Sequence, residues 1–367
     1  MHSKRAITLF LSVIVAILVL TNLAVFSALT HIFSIQSAAG RVGFGAVLGV
    51  LSFGFIAITI VDRRYYNAFT RFITHVLSVY MGLFAYLFFV SVMYGVLVFV
   101  HIPFARPVGG ALLMASVIVT VYGLINARVV RVTSVTIPPG NTQWHSRKAI
   151  FVSDLHLGQV LGAQFARTVV AAINSRTPDI VFIGGDLFDG TTAPDLDVLL
   201  APLRNLRPAH GIYFITGNHE EFGDGSPFLE AIARAGITIL QDKLIEIDGL
   251  QIIGVDDTTS EKQENFERIL AGMHIDRNKP SILLRHQPKH LSVAEAAGIT
   301  LQMSGHTHLG QQWPFGYIAQ WAFKGYAYGL KMLGAMTVYT SSGVGTWGPP
   351  VRVGTRSEIV EVTFGVQ

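Results

Sequence analysis

Apolar positions fall in long uninterrupted runs early in the chain and in short runs later. Residues 6–40, 42–61, 72–105 and 107–127 carry no formal charge, and Leu, Ile, Val, Phe and Ala dominate all four stretches. A hydrocarbon core about 30 Å thick needs roughly 20 apolar residues per helix. The pattern therefore predicts four transmembrane helices, near 7–30, 42–61, 76–100 and 108–126. A charge at mid-bilayer costs about 2.5–3.5 kcal/mol, so the charges collect between the segments. The first run exceeds the roughly 7–15 residues of a signal-peptide core and reads as a retained anchor.

The pattern changes at Arg128. Residues 128–137 alternate with a period of two, and Pro138-Pro139-Gly140 then breaks the run. Short apolar runs follow at 149–153, 180–183, 212–216, 252–255, 282–284 and 301–304. Helical stretches at 163–175, 194–204, 227–235 and 261–272 lie between several of them. Strands alternating with helices imply an α/β core with buried strands. Two domains are expected: a transmembrane anchor over 1–127 and a second domain over 128–367.

Composition agrees with a chain of two characters. Of 367 residues, 51% are hydrophobic and only 14% charged, where a soluble protein has roughly a quarter charged. The absence of cysteine excludes disulfides, thiolate nucleophiles and Cys-type zinc sites. The pI near 9.3 hints at nucleic acid, but the net charge of +4 is unevenly placed. Residues 1–125 hold seven Lys/Arg and one acid, Asp62, for +6, which leaves −2 for the remainder. A mildly acidic second domain is a poor nucleic-acid partner, so a nuclease is disfavoured. The basic residues instead orient the helices. Lys4, Arg5, Arg63, Arg64, Arg71, Arg128, Arg131, Arg147 and Lys148 fall on one side, against Arg41 and Arg106 on the other. Both termini and the second domain are thus expected on the cytoplasmic side of the cell (inner) membrane. No Asp, Glu, Lys or Arg lies within a span, and His75 and His101 fall near the ends. This favours anchoring, with substrate presentation, over transport. Gly45 and Gly49 form a small-xxx-small pair suited to close helix packing.

The polar residues collect just after the predicted strands, where open α/β sheets bind ligands. They read Ser153-Asp154-Leu155-His156; Gly184-Gly185-Asp186-Leu187-Phe188-Asp189; Gly217-Asn218-His219-Glu220; Arg285-His286; and Gly305-His306-Thr307-His308. Each block alone has a bland explanation as a turn, a cap or a packed histidine. Together they offer carboxylates, imidazoles and one amide. Two cations about 3.5–4 Å apart need a bridging carboxylate and several N/O donors. Asp-x-His places two side chains on one side of an extended segment. Gly184, Gly185, Gly217 and Gly305 let the backbone turn tightly beside them.

In this order, D-x-H, G-D-x-x-D, G-N-H-E, a later His and G-H-x-H resemble the signature of the calcineurin-like metallophosphoesterases. The likeness covers roughly residues 147–365. The wording SDLHLG, GNHEEFGDG and SGHTHLGQ is most similar to a bacterial membrane-anchored subgroup with phosphodiesterases of the UDP-2,3-diacylglucosamine hydrolase type. The resemblance implies a two-sheet α/β sandwich flanked by helices. It implies a first metal held by Asp154, His156, Asp186 and His308. A second would be held by Asp186, Asn218, His286 and His306, with Asp186 bridging. It makes His219 a non-ligating catalytic residue oriented by Asp189. The reaction implied is phosphoester hydrolysis by a metal-bridging hydroxide, with Mn, Fe or Zn as the metal. Arg285 departs from the usual pattern, either as a phosphate contact or as a salt-bridge partner.

Residues 309–334 hold Trp313, Phe315, Tyr317, Trp321, Phe323, Tyr326 and Tyr328, with Lys324 and Lys331 as the only charges. Trp and Tyr favour membrane interfaces. Core packing, a dimer contact, interfacial docking on membrane lipids and an acyl-chain groove all fit this composition. The leading expectation for the substrate is a lipid-linked phosphodiester or pyrophosphate. A tethered phosphomonoesterase and a non-enzymatic membrane sensor are the alternatives.

Overall fold

The computed structural model describes residues 4–62, 65, 67–137, 144, 146–190, 196–221 and 224–365. The chain divides into two compact units, 1–123 with 348–350 and 124–347 with 351–367. Among the described residues, four helices are long and apolar enough to cross a membrane. They are α1 (Lys4–Ile32), α2 (Ala38–Asp62), α3 (Ala68–Phe99) and α4 (Ala105–Asn126). Helix α3 starts eight residues before its expected position. Asn67 caps it, with Oδ1 accepting from Phe69 N at 2.9 Å and Thr70 N at 3.0 Å, while Thr70 Oγ1 accepts the Asn67 N–H. This capping box draws Arg71 into the first turns. Arg63 and Arg64, part of the orientation argument, lie outside the described residues, as do Pro138-Pro139-Gly140.

Leu18, Val25, Leu29, Leu48, Phe84 and Leu87 form the core of the first unit. A charge survey does not reveal what lies beside it. Ser52 Oγ donates to Asn22 Oδ1 at 2.9 Å and lies 3.2 Å from the Tyr80 hydroxyl. Neutral polar side chains among apolar helices are costly unless paired, and these three pair with one another. Gly45 lies against the Phe26 ring, whereas a Cβ added at Gly49 would meet nothing within 4 Å. Only one of the two glycines therefore sits at a helix contact.

The second unit holds two six-stranded sheets. The first has the order β1 (Val130–Ile137), β12 (Ser357–Phe364), β2 (Lys148–Val152), β3 (Ile180–Ile183), β4 (Ile212–Phe214), β5 (Thr238–Ile239). The second has the order β10 (Gly329–Leu333), β11 (Met336–Thr340), β9 (Leu301–Ser304), β8 (Ser281–Leu284), β7 (Leu250–Gly254), β6 (Lys243–Ile247). Strands β2 to β5 run parallel to one another, as do β7, β8, β9 and β11.

Strands β2, β3 and β8 read as nearly unbroken apolar runs because both faces are covered. Ala149, Phe151, Ile180 and Phe182 face Ile252, Ile282, Leu284 and Met303 between the sheets. On the outer side of the first sheet, Ile150, Val152, Val181 and Ile183 pack on α5 (Ala163–Asn174) and α7 (Ser226–Arg234). On the outer side of the second sheet, Ile253, Leu283 and Val338 pack on α8 (Gln263–Gly272) and α9 (Leu291–Ala296). The helix expected over 194–204 is interrupted. Within the described residues it is α6 (Leu196–Leu200), then a 3₁₀ turn at Leu203–Asn205 after Pro202. Residues 194 and 195 lie outside the description. The architecture is a two-sheet α/β sandwich flanked by helices, as expected. A further helix, α10 (Gly316–Ala322), belongs to none of its layers.

Candidate metal centre

Each polar block begins within three residues of the end of its strand, so the parallel strands deliver Asp154 and His156 after β2, Asp186 after β3, Asn218 after β4, His286 after β8 and His306 after β9. One ligand atom each from Asp154, His156 and His308 lie within 4.8 Å of one another. The same holds for Asp186, His286 and His306, and for His156, Asp186 and His219. His156 Nε2 is 3.1 Å from His308 Nε2 and 3.8 Å from Asp186 Oδ2. His308 Nε2 is 3.5 Å from Asp154 Oδ1, and His286 Nε2 is 3.1 Å from Asp186 Oδ2. The carboxylate of Asp186 thus touches both groups.

The backbone pays a conformational cost to aim these side chains. Asp154, His156, Asp186, His306 and His308 all adopt positive φ, between 46° and 70°. Non-glycine residues seldom occupy this region, and such strain gathers at functional sites. Gly217 is required by space instead. A Cβ there would stand 2.2 Å from Asp186 Oδ1 and 2.5 Å from Asp186 N.

Burial sets the protonation of the cluster. It pushes His156 and His306 down to about 3, and His308 well below its ordinary value. Neutral imidazoles are the form that ligates metal. His286 behaves oppositely: burial opposes its charge, but Asp186 holds it well above the ordinary histidine range. Asp154 is pushed up to about 6 by burial. Asp189 rises to about 8 through burial and the charge of Asp186.

The donor set fits divalent metal ions. His286 Nε2 and Asn218 Oδ1 are both buried and lack a well-aligned hydrogen bond. Metal–N and metal–O distances near 2.0–2.2 Å place two donors on one ion roughly 3 Å apart, as His286 and Asp186 are. Seven N/O donors without sulfur suit Mn, Fe or Zn.

His219 sits beside the cluster. Its backbone N–H donates to Asp186 Oδ1 at 2.9 Å, and its ring stands edge-on to His156 with centroids 4.7 Å apart. Asp189 Oδ1 lies 3.7 Å from His156 Nδ1. Arg285 is buried. Its guanidinium donates to the carbonyl oxygens of Lys289 and, at 2.7 Å, Ser260, and stacks 4.2 Å over Phe266. It secures the turn after β8 through backbone carbonyls and an aromatic ring, with the charge of Asp257 acting on it as well.

Three contributors escaped the sequence reading. Glu220 stands in the G-N-H-E block without an assigned role. Its Oε2 accepts the N–H groups of Asp186 and Gly217, both at 2.9 Å, and its Oε1 accepts that of Phe188 at 3.0 Å. It thereby staples the β3 loop to the β4 loop. Arg352 is buried, with Nη2 3.2 Å from His308 Nδ1 and bonded to the carbonyls of Ser342, Gly343 and Gly345. Trp347 brings its ring to 6.1 Å from that of His219. Only Glu220 carried a local signal, its place in the motif.

Comparison with known proteins agrees with this geometry. A family model for calcineurin-like phosphoesterases matches residues 147–310. A metallophosphoesterase of Helicobacter pylori is 38% identical over 216 residues, 58% of this chain and 58% of its own. The chain therefore spans less than two thirds of that relative. A bovine transmembrane protein with metallophosphoesterase domain is 33% identical over 272 residues, covering 68% of this chain and 60% of its own. A metallophosphoesterase of Aquifex aeolicus is 31% identical over 222 residues, 59% of this chain and 84% of its own. Strand-end carboxylates and imidazoles in the family's order, on a two-sheet sandwich, and relatives matched over most of their length lead to one assignment: the chain belongs to the calcineurin-like metallophosphoesterase family.

Proposed function

We propose that the protein is a membrane-anchored, dinuclear-metal phosphoester hydrolase. Its anchor covers 1–127 and its catalytic domain 128–367. One observation carries the reading: Asp186 Oδ2 lies 3.1 Å from His286 Nε2 and 3.8 Å from His156 Nε2, so one buried carboxylate joins two clusters of N/O donors. Asp154, His156, Asp186 and His308 would hold the first ion, and Asp186, Asn218, His286 and His306 the second. Two such ions supply Lewis acidity toward phosphoryl oxygens and acidify water from a pKa of 15.7 to about 7.

The chain's own residues do the rest. Neutral His156, His306 and His308 keep their lone pairs available for coordination. Glu220 fixes the backbone of Asp186 and so the separation of the two clusters. His219, beside the cluster and outside both proposed ligand sets, stabilises negative charge on the phosphoryl group or protonates the leaving oxygen, with Asp189 as its orienting partner.

The substrate in this reading is a lipid-linked phosphodiester or pyrophosphate, in keeping with the likeness to UDP-2,3-diacylglucosamine hydrolase-type enzymes. Four helices able to cross a membrane support it. The domain faces the cytoplasm from the inner membrane, on the nine-to-two distribution of Lys and Arg. The test is an assay of detergent-purified full-length protein with defined metals against lipid-linked phosphodiesters, soluble phosphodiesters and matching monoesters. Preference for the lipid-linked diester is expected. Preference for a soluble monoester would replace the substrate, and no turnover with two bound metals would replace the enzyme. A reporter fused after Gln367 that proved external would overturn the orientation.

A further inference from the structure

Between the last ligand loop and β10, the chain leaves the sandwich. Helix α10 has no buried residue. Trp313 is 57% exposed, Tyr317 71%, Ile318 61% and Trp321 82%. Leu330 and Met332 on the edge strand β10 are also exposed. Core packing, one of the roles open to 309–334, is thereby excluded for these side chains. A soluble surface rarely carries so many large apolar groups together without a binding role.

The excursion is firmly rooted. Trp313 N donates to Val353 O at 2.8 Å, and Val353 N donates to Gln311 O at 3.1 Å. The Thr307 hydroxyl, between His306 and His308, donates to Ala327 O at 2.6 Å. At the end of α10, the Phe323 ring stands 5.9 Å from that of His306. The apron is thus tied to Val353 at its start and to the ligand loop at its end.

We infer that this apron seats in the interfacial layer of the bilayer and holds the metal centre at the level of lipid headgroups. Three observations select the bilayer over a protein partner. By chain connection the fourth apolar helix ends at the root of the apron: Asn126, its last residue and already part of the second unit, donates through Nδ2 to Arg352 O at 3.0 Å and Thr355 O at 2.9 Å. Thr355 Oγ1 donates in turn to Gln311 O at 3.1 Å. The exposed aromatic residues are Trp and Tyr, which partition to interfaces because one end is apolar and the other polar. The only charges over 309–334 are Lys324 and Lys331, both exposed, and cations near an anionic leaflet are attracted to it. The seat is a property of the surface and holds whichever phosphoester the site takes.

The test exploits the absence of cysteine, which lets one introduced thiol be labelled uniquely. Ile318→Cys, Tyr317→Cys and, as a control on the solvent side of α7, Glu230→Cys each carry a nitroxide in the full chain, reconstituted in phosphatidylcholine–phosphatidylglycerol bilayers. The labels at 317 and 318 should relax faster with dissolved oxygen than with an aqueous nickel chelate, and the label at 230 should show the reverse order. An aqueous profile at both 317 and 318 overturns the seat. So does spin–spin broadening at 318 that grows with protein density, which marks a second copy on the apron. Neither readout needs turnover, so failure here is distinct from failure of the hydrolase reading.

Discussion

His286 Nδ1 lies 2.8 Å from the carbonyl oxygen of Gly184, while its Nε2 lies 3.1 Å from Asp186 Oδ2. A carbonyl only accepts, so the Nδ1 proton is fixed there. Asp186 holds a second proton on Nε2, and a cation bound between the two would displace that proton to take the lone pair. The orienting carbonyl behind a ligating imidazole is a common arrangement in metal sites.

Asp186 stands between both donor groups, so Asp186→Asn weakens both sites at once. The variant should lose metal and essentially all turnover. Elemental analysis beside an activity assay checks this, and near-wild-type activity would sink the dinuclear reading.

His219→Ala separates catalysis from coordination. Metal content should stay at the wild-type level while the rate falls by roughly 10²–10⁴, the usual contribution of a positioned acid or base. His219 also lies within ligand range of His156 and Asp186. Metal lost in step with rate would make it a ligand instead.

Glu220→Ala strips the acceptor from three buried backbone N–H groups, those of Asp186, Phe188 and Gly217. Each unsatisfied donor costs about 1–3 kcal/mol, so a loss of roughly 3 kcal/mol or more is expected, with reduced metal content. Glu220→Gln, which keeps one acceptor oxygen, should recover part of both. Unchanged unfolding and metal content in the alanine variant would show that the staple is dispensable.

Away from the site, Arg176 grips Glu361 with Nε at 2.8 Å and Nη2 at 2.9 Å. That hydrogen bond holds the Glu361 carboxyl below its ordinary 4.5. A depressed carboxylate stabilises the fold above its unfolded pKa, and that contribution is lost as pH falls through the folded value. The Arg176 side of the pair is exposed to solvent, so its contribution is small. Glu361→Gln should therefore lower stability slightly at neutral pH, and the difference should fade below pH about 4. Denaturant titrations at the two pH values check it, and a difference that persists in acid would contradict the sign.

What could be read from the sequence follows from burial. Strands β2, β3 and β8 are covered on both faces, so each shows as a nearly continuous apolar run, and the polar residues at their ends stand out. Strand β12 did not show, because Glu358 and Glu361 interrupt it. Yet Glu358 is fully buried and accepts from Thr133, Tyr328, Tyr339, Ser341 and the Ser342 N–H. Those partners come from β1, the 326–328 turn, β11 and its following loop, so no local pattern announces them. Arg352 is hidden for the same reason. The left-handed backbone at five of the seven donors is equally silent, since Asp and His favour other conformations when considered alone. The exposure of α10 also required the fold, because its composition suits a core as well as a surface.

The position of β12 governs the order of assembly. It lies between β1 and β2, pairing Val130 with Ser357 and Phe151 with Val360. During synthesis β1 emerges directly after the fourth apolar helix but has no neighbouring strand until more than two hundred residues have followed. Such distant pairing is slow to close. The four apolar helices and every loop that carries a candidate ligand are therefore synthesised before the first sheet can close around β12.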